Sequence, residues 1–295
     1  MLNKNIETFI ACDAEYEEAD IVLFGAPFDG TTSNRPGTRF APRAIRTESF
    51  GLETYSPYQD KDLTDMSVFD SGDLDLCFGN AERVLNDIEE RTATILEDGK
   101  LPFMIGGEHL VTLGPVRATA KKYHDLHIIH FDAHTDLRDD YMGEKLSHAT
   151  VLRRCHDILG DGRIYQFGIR SGDRSEFRWA DEGHVKTNKF NFDGLEEAIK
   201  EIGDKPVYLT IDLDVLDPSE FPGTGTPEAG GVSYTQLLNA IFTVCKDVNV
   251  VACDINELSP TYDQSGISTA MACKVVRELL LALKNKTRRG VMKNG

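Results

Sequence analysis

The chain has 295 residues, a formal net charge of −17 and a pI near 4.9, with 40% apolar and 27% charged residues. That length suits one large α/β domain or two small ones, and the acidic balance speaks against nucleic acid or an anionic membrane as partner while favouring cations. No apolar run approaches the roughly 20 residues that span a bilayer, and six scattered cysteines with no C-x-x-C pair and no secretory segment before them lead us to expect reduced thiols in a cytoplasmic protein.

Residues 1–19 are polar, acidic at Glu15, Glu17 and Glu18, and read as an N-terminal helix or arm. A strand at 21–24 closes at Gly25-Ala26-Pro27, and the Gly-, Pro- and Arg-rich stretch 29–46 follows as an ordered loop entering a helix with Pro42 in its first turn. After a short strand at 68–70, residues 80–98 carry Val84, Ile88 and Ile95 on one helical stripe, with Asn80 as cap and Gly99 as stop. A strand at 101–105 runs into Gly106-Gly107-Glu108-His109, where paired glycines allow a tight turn that delivers His109 to the strand end. A helix is expected over 110–124, and the apolar run 126–131 then ends in Asp132-Ala133-His134-Thr135-Asp136. Beyond a polar loop at 138–147 the pattern predicts a helix over 148–159, a strand over 163–169, and helices over 174–182 and 192–202 with a weak strand at 184–186 between them. A strand at 207–211 carries Asp212-Leu213-Asp214. A Gly/Pro loop at 217–231, a helix over 233–246, a strand over 248–254 and a helix over 268–284 follow, and the basic tail 285–295 is expected to fray.

This alternation predicts a single α/β domain over 1–295, three-layered α/β/α, with a mostly parallel, doubly wound central sheet of about eight strands. Ligands of such sheets gather at the carboxyl ends of the strands, where His109, Asp132, His134, Asp136, Asp212, Asp214 and Glu257 all fall. Asp132, His134 and Asp136 recur with period two, so an extended backbone would point all three the same way. Alternating Asp also serves as turn or helix caps, yet five such candidates in two places point to a shared metal site. Four aspartates and two histidines without thiolate suit Mn²⁺ better than structural zinc, and four carboxylates at −4 balance two divalent ions at +4. A calcium-loop reading fails, because Asp212-Leu213-Asp214-Val215-Leu216 lacks the third ligand and the glycine. Paired ions about 3.5 to 4 Å apart would activate water for hydrolysis.

Taken in order, Gly25-Ala26-Pro27-Phe28-Asp29, Arg35-Pro36-Gly37-Thr38-Arg39, Gly106-Gly107-Glu108-His109, Asp132-Ala133-His134-Thr135-Asp136, Asp212-Leu213-Asp214-Val215-Leu216-Asp217-Pro218, Pro222-Gly223-Thr224-Gly225-Thr226-Pro227-Glu228 and Glu257-Leu258-Ser259-Pro260 resemble the ureohydrolase (arginase/agmatinase) family, most closely its agmatinase branch. The resemblance covers nearly the whole chain. It implies an arginase-like fold, a homo-oligomer (trimer or hexamer) and two Mn²⁺ per subunit. One ion would be held by His109, Asp132, Asp136 and Asp212, the other by His134, Asp132, Asp212 and Asp214. It further implies hydrolysis of agmatine to putrescine and urea, a step of polyamine biosynthesis. Asp136 would orient the attacking hydroxide and pass its proton to the leaving nitrogen, Glu257 would anchor the guanidinium, His148 would shuttle protons, and Thr226 would bond near the reacting carbon.

The chemistry agrees with those roles. A guanidinium carbon is a poor electrophile, so the reaction needs a strong nucleophile and a proton for the departing amine, and His148, with an unperturbed pKa near 6.5, is suited to moving that proton. A carboxylate such as Glu257 meets a guanidinium fork with two charge-assisted hydrogen bonds. Glu108 stands where the family usually has Asp, Thr210 where Ser is common, Ala149 where Gly often follows the shuttle histidine, and Ala229 where Pro is frequent; none removes a ligand. The acidic balance of the 138–145 loop favours a small cationic guanidino substrate with a bare second amine. Alternatives are a ureohydrolase for arginine, 4-guanidinobutanoate, guanidinopropanoate or guanidine, a metal-free enzyme with Cys155 as nucleophile beside His156, and a non-catalytic metal-binding homologue.

Overall fold

Strand segments of this chain are apolar on both pleat faces, the pattern of a parallel sheet covered on both sides. The computed structural model, which describes residues 7–283, contains that sheet. Its strands and a short hairpin are β1 (Ile21–Gly25), β2 (Tyr55–Ser56), β3 (Lys61–Asp62), β4 (Val68–Asp73), β5 (Leu101–Ile105), β6 (His127–Phe131), β7 (Ile164–Ile169), β8 (Lys186–Lys189), β9 (Pro206–Asp212) and β10 (Asn249–Asn256). The α-helices are α1 (Ala41–Ser49), α2 (Ala81–Glu97), α3 (Leu113–Lys122), α4 (Val151–Leu159), α5 (Arg174–Trp179), α6 (Leu195–Ile202), α7 (Tyr234–Asp247) and α8 (Ile267–Ala282). Eight strands form one sheet in the order β4-β1-β5-β10-β9-β6-β7-β8, every neighbouring pair parallel; β2 and β3 form a separate antiparallel ribbon.

Period-two alternation divides the core. Ile21 and Leu23 of β1 with Phe103 and Ile105 of β5 belong to one buried cluster, whereas Val22, Phe24 and Met104 belong to the other. Ile45, Ile199, Ile241 and Val276 from α1, α6, α7 and α8 complete the first; Val84, Val116 and Leu152 from α2, α3 and α4 complete the second. Each such side chain fully buried contributes about 1.5 to 3 kcal/mol of hydrophobic stabilisation. Caps set the helix starts: Asn80 Oδ1 accepts the Arg83 N–H at 3.0 Å, and Ser233 with Gln236 forms a reciprocal capping box on α7.

Several boundaries differ from the sequence expectation. Within the described part of the N-terminal segment, helix is limited to a 3₁₀ turn, Tyr16–Glu18, and Asp13 makes an antiparallel bridge to Phe69 on the sheet edge. The β2–β3 ribbon was not expected; at two residues per strand it carries no periodicity to detect. A 3₁₀ turn, His109–Thr112, precedes α3, so the expected helix is tightened where it meets the strand end. The weak strand expected at 184–186 lies further on, at Lys186–Lys189, because Ala180–His184 closes in a π-turn that exits through Gly183 at φ +102°. The basic tail 285–295 lies outside the described residues.

One consequence of the strand order governs the site. β5, β10, β9 and β6 are four consecutive strands in the middle of the sheet. His109 follows the first, Glu257 the second, Asp212 and Asp214 the third, and Asp132, His134 and Asp136 the fourth.

Candidate metal centre

At those four strand ends the side chains converge on a cavity of about 220 Å³ whose walls include His109, His134, Asp136, Asp212, Thr226 and Glu257, with His148 at the same opening. His109 Nδ1 lies 3.1 Å from Asp132 Oδ2, 3.1 Å from Asp136 Oδ2 and 3.5 Å from Asp212 Oδ2. This nitrogen is buried and makes no well-formed hydrogen bond to those oxygens, an arrangement that is costly unless a cation lies between nitrogen and carboxylates. His134 Nδ1 lies 2.9 Å from Asp214 Oδ2 and 3.5 Å from Asp132 Oδ1. Asp132 therefore turns one oxygen to each histidine. Asp214 N–H donates to Asp212 Oδ1 at 2.8 Å, joining the two carboxylates of β9. The donor set is imidazole and carboxylate without thiolate, and the groups Asp132/His134/Asp214 and His109/His130/Asp132 each gather within ligand-sharing distance.

Local backbone does not deliver these residues in the way period two suggests. β6 stops at Phe131, His134 makes only an isolated bridge to Ser171, and Asp136 has φ +52°. Convergence of Asp132, His134 and Asp136 thus comes from a loop with a left-handed residue rather than from an extended strand. Glu257, at φ +67°, is in the same region. Non-glycine residues held there cost about 1 to 3 kcal/mol and persist where surroundings fix them. Glu257 is fixed by accepting the His109 N–H at 2.7 Å and by donating its own N–H to Gly107 O at 2.9 Å. Gly107 lets the turn before His109 lie against the Phe28 backbone, since a Cβ there would stand 2.0 Å from the Phe28 carbonyl oxygen.

Residues behind the cavity orient those that line it. His109 Nε2 is 2.9 Å from Thr210 Oγ1, which leaves Nδ1 facing the carboxylates. His130, which the sequence reading passed over, is buried with Nε2 2.7 Å from Asp132 Oδ2, and Gln166 Nε2 approaches its Nδ1 at 3.0 Å. Because Gln166 Oε1 accepts from Thr187 at 2.9 Å, its amide nitrogen donates to His130, which then donates to Asp132. Arg170 stands just past the strand expected over 163–169, and its guanidinium donates to the carbonyls of Gly168, Asp214, Val215, Leu216 and Glu228 and ties the loop after β9 to β7. A strand-terminal arginine flanked by a Gly/Pro loop is a weak sequence signal for such a clamp.

His148 is half-buried at the cavity mouth. Its Nδ1 sits 2.9 Å from the Thr31 carbonyl, an acceptor, so Nδ1 carries the proton and Nε2, 3.2 Å from Ser33 Oγ, is the basic nitrogen. Thr31 is itself held by Glu108, which accepts from its hydroxyl at 2.6 Å and its N–H at 2.9 Å, while Thr31 Oγ1 accepts the His148 N–H at 3.0 Å. Glu108 thus connects the 29–37 loop to the strand end, a reach for which Glu is one methylene longer than Asp.

Charge is distributed unequally. Burial, then the Asp132 charge, pushes the Asp136 carboxyl up to about 7. Burial followed by Asp214 and Asp132 raises Asp212, and burial followed by Asp214 and Glu108 raises Glu257. Against the desolvation of its ring, the carboxylates of Asp132 and Asp136 hold the His109 imidazolium above its ordinary range. Burial pushes His148 down to about 4, so its ring is neutral near pH 7. Such a pocket calls for cations. Arg138 reaches its wall but is engaged by Asp173 at 2.7 Å and lies over the Tyr141 ring at 5.0 Å. Cys155 is fully buried on α4 within the α2–α4 core, and burial raises its thiol far above the usual range; a thiolate nucleophile there is ruled out by its surroundings.

Comparison with known proteins agrees with the geometry. The agmatinase of Bacillus subtilis (strain 168) is 50% identical over 277 residues, covering 93% of this chain and 96% of that one. Guanidinobutyrase from Pseudomonas aeruginosa is 35% identical over 94% of this chain and 90% of its own length. Agmatine ureohydrolase of Thermoplasma volcanium superposes with a TM-score of 0.88 at 36% identity, covering 97% of both chains. The family model described as the arginase family matches residues 19–282. With the match running from the start of β1 to the end of α8, this chain belongs to the arginase family.

Proposed function

We propose that the protein is an agmatinase, hydrolysing agmatine to putrescine and urea with two Mn²⁺ per subunit. The observation that carries this reading is the orphaned Nδ1 of His109, buried at 3.1 to 3.5 Å from three carboxylate oxygens of three residues. His109, Asp132, Asp136 and Asp212 would hold one ion; His134, Asp132, Asp212 and Asp214 would hold the other, with Asp132 and Asp212 shared. When bound, such ions lower the pKa of water from 15.7 toward about 7 and so supply a nucleophile at neutral pH.

The remaining work falls to the chain's own groups. Glu257, buried beside Asp214 and in want of positive charge, receives the guanidinium through paired hydrogen bonds. Asp136 lies at the same opening and takes the proton that the departing amine needs. His148 exchanges that proton with solvent through Nε2, the nitrogen its Thr31 bond leaves free. Thr226, whose hydroxyl is 3.4 Å from Asp214 Oδ2, lines the cavity and would bond near the reacting carbon.

Substrate choice follows from the cations at the mouth. Arg138 is committed to Asp173 and Tyr141 and so is not free to meet a substrate carboxylate, while the 138–145 loop as a whole carries an acidic balance that suits a second amine. The similarity to a guanidinobutyrase supplies the competing reading, 4-guanidinobutanoate. Urea release by chelator-stripped, Mn²⁺-reloaded protein should be led by agmatine over arginine, 4-guanidinobutanoate, 3-guanidinopropanoate and guanidine. Equal or better turnover of any other member would discard agmatine, and urea from none of them would leave a metal-binding homologue.

We further read residues 7–283 as one domain, since a single sheet runs between both core clusters, and place the protein in the cytoplasm as a trimer or hexamer. All six cysteines are unpaired, which supports a reducing compartment, and no described helix is long and apolar enough to cross a membrane.

A further inference from the structure

The amino ends of β7 and β8 carry a second meeting of imidazole and carboxylate, at the opposite end of the strands from the centre above. His156 stands in the last turn of α4, Asp161 in the turn between α4 and β7, and His184 at the end of the π-turn before β8. Asp161 Oδ1 is 2.8 Å from His156 Nε2 and 2.6 Å from His184 Nδ1. Three separate segments thus aim one donor each at one point, and the atoms lie within 4.8 Å of one another. Gly160 and Gly162, at φ +82° and +72°, flank Asp161 and let the turn present it.

The rings are held in place as well. Trp179 stacks on His184 at 4.5 Å with 16° between the planes and meets His156 edge-on at 4.6 Å. Arg153 lies over Trp179 at 4.0 Å. On the far side of the His184 ring, Nε2 faces the Glu182 carboxylate at 3.8 Å, within ion-pair range and beyond a direct hydrogen bond.

We propose that His156, Asp161 and His184 form a surface site for one late first-row divalent cation of the Zn²⁺ class, distinct from the centre at the carboxyl ends of the strands. Two imidazole nitrogens and one carboxylate oxygen make three corners of a tetrahedron, with water at the fourth. Imidazole-rich sets favour the later ions over Mn²⁺, so the two sites divide the metals by chemistry. Bonds of about 2.1 Å put tetrahedral ligand atoms about 3.4 Å apart. The observed 2.6 and 2.8 Å spacings are those of the ion-free hydrogen bonds and must open on binding. Asp161, 65% exposed, is free to swing outward. As the ion enters, the proton on each coordinating nitrogen is lost to solvent, and each ring is held as the neutral tautomer protonated on its other nitrogen, Nδ1 of His156 and Nε2 of His184, the latter 3.8 Å from the Glu182 carboxylate. Bound in this way, the ion clips the end of α4 and the π-turn to the edge of the sheet.

The test uses Mn²⁺-loaded protein, Zn²⁺ titrated against a chromophoric chelator, and metal content after desalting, in the wild type and in Asp161→Asn and His184→Gln. Any Zn²⁺ that exchanges into the main centre does so equally in all three, so the difference between them isolates this site. Expected is one additional equivalent in the wild type, held at least roughly 10- to 100-fold more weakly in both variants, with Zn²⁺ raising the wild-type Tm and leaving that of Asp161→Asn unmoved. Equal Zn²⁺ stoichiometry and affinity in wild type and Asp161→Asn, or no additional equivalent in the wild type, overturns the proposal. Should His184→Gln fail to fold, the near-isosteric Asp161→Asn decides alone.

Discussion

Two histidines face four aspartates at the carboxyl ends of β5, β6 and β9, and two histidines share one aspartate at the amino ends of β7 and β8. The first set is almost wholly buried, with carboxylates outnumbering imidazoles and one ring nitrogen left without a hydrogen bond. In the second, solvent reaches the carboxylate and every observed contact is satisfied by a proton between nitrogen and oxygen. Burial separates them. An exposed His–Asp contact loses little when an ion is absent, whereas a buried excess of negative charge is unfavourable until cations arrive.

Substitutions at the buried set should have the largest effects. Asp132→Asn removes the carboxylate that faces both histidines, and kcat is expected to fall by more than the roughly 100-fold typical of disturbing an outer partner, together with lost metal on elemental analysis. Retention of both ions at wild-type activity would collapse the contrast. Chelation should expose the electrostatic cost directly. In metal-free protein the Asp136 carboxyl is near 7 instead of its ordinary 3.8, so the folded state holds a proton that the unfolded chain has released. Its stabilising effect is therefore complete below pH 4 and lost as pH rises through about 7, on the order of 2 to 4 kcal/mol. Urea melts of stripped protein at pH 5.5 and 8 should show lower stability at pH 8, and restored Mn²⁺ should erase the difference.

Next in size is Glu257→Gln, which keeps the shape but loses the charge proposed to receive the guanidinium. We expect kcat/KM for agmatine to fall about 100-fold, in line with the roughly 2 to 5 kcal/mol lost on breaking a buried charge pair. Smaller again is Thr31→Val, which removes the hydroxyl between Glu108 and His148. A kcat about tenfold lower with KM little changed would mark His148 as positioned from the strand end, and an unchanged pH profile would argue that the link is only structural. The smallest effect belongs to the exposed set, where Asp161→Asn should leave urea release within about twofold.

Much of this was legible in the sequence. The strand–helix alternation, the apolar strands and the cap at Asn80 act locally, so residues near one another in the chain decide them. The residues of the proposed centre stood out because metal chemistry demands particular side chains at strand ends, and their motifs are compact. Less legible were His130 and Arg170, whose partners lie beyond their own strands: nothing near His130 shows that Gln166 and Thr187 stand behind it, and nothing near Arg170 shows five carbonyls waiting for its guanidinium. Period two placed Asp132, His134 and Asp136 together for the wrong local reason, since the backbone leaves the strand at Phe131 and turns through a left-handed Asp136. Composition and pattern alone determined the layers, the direction of the strands and the kind of ligand. Only the tertiary structure decided which four strands lie side by side, and thereby which oxygens meet at His109, because strand order is set by packing among segments as distant in the chain as Phe103 and Cys253.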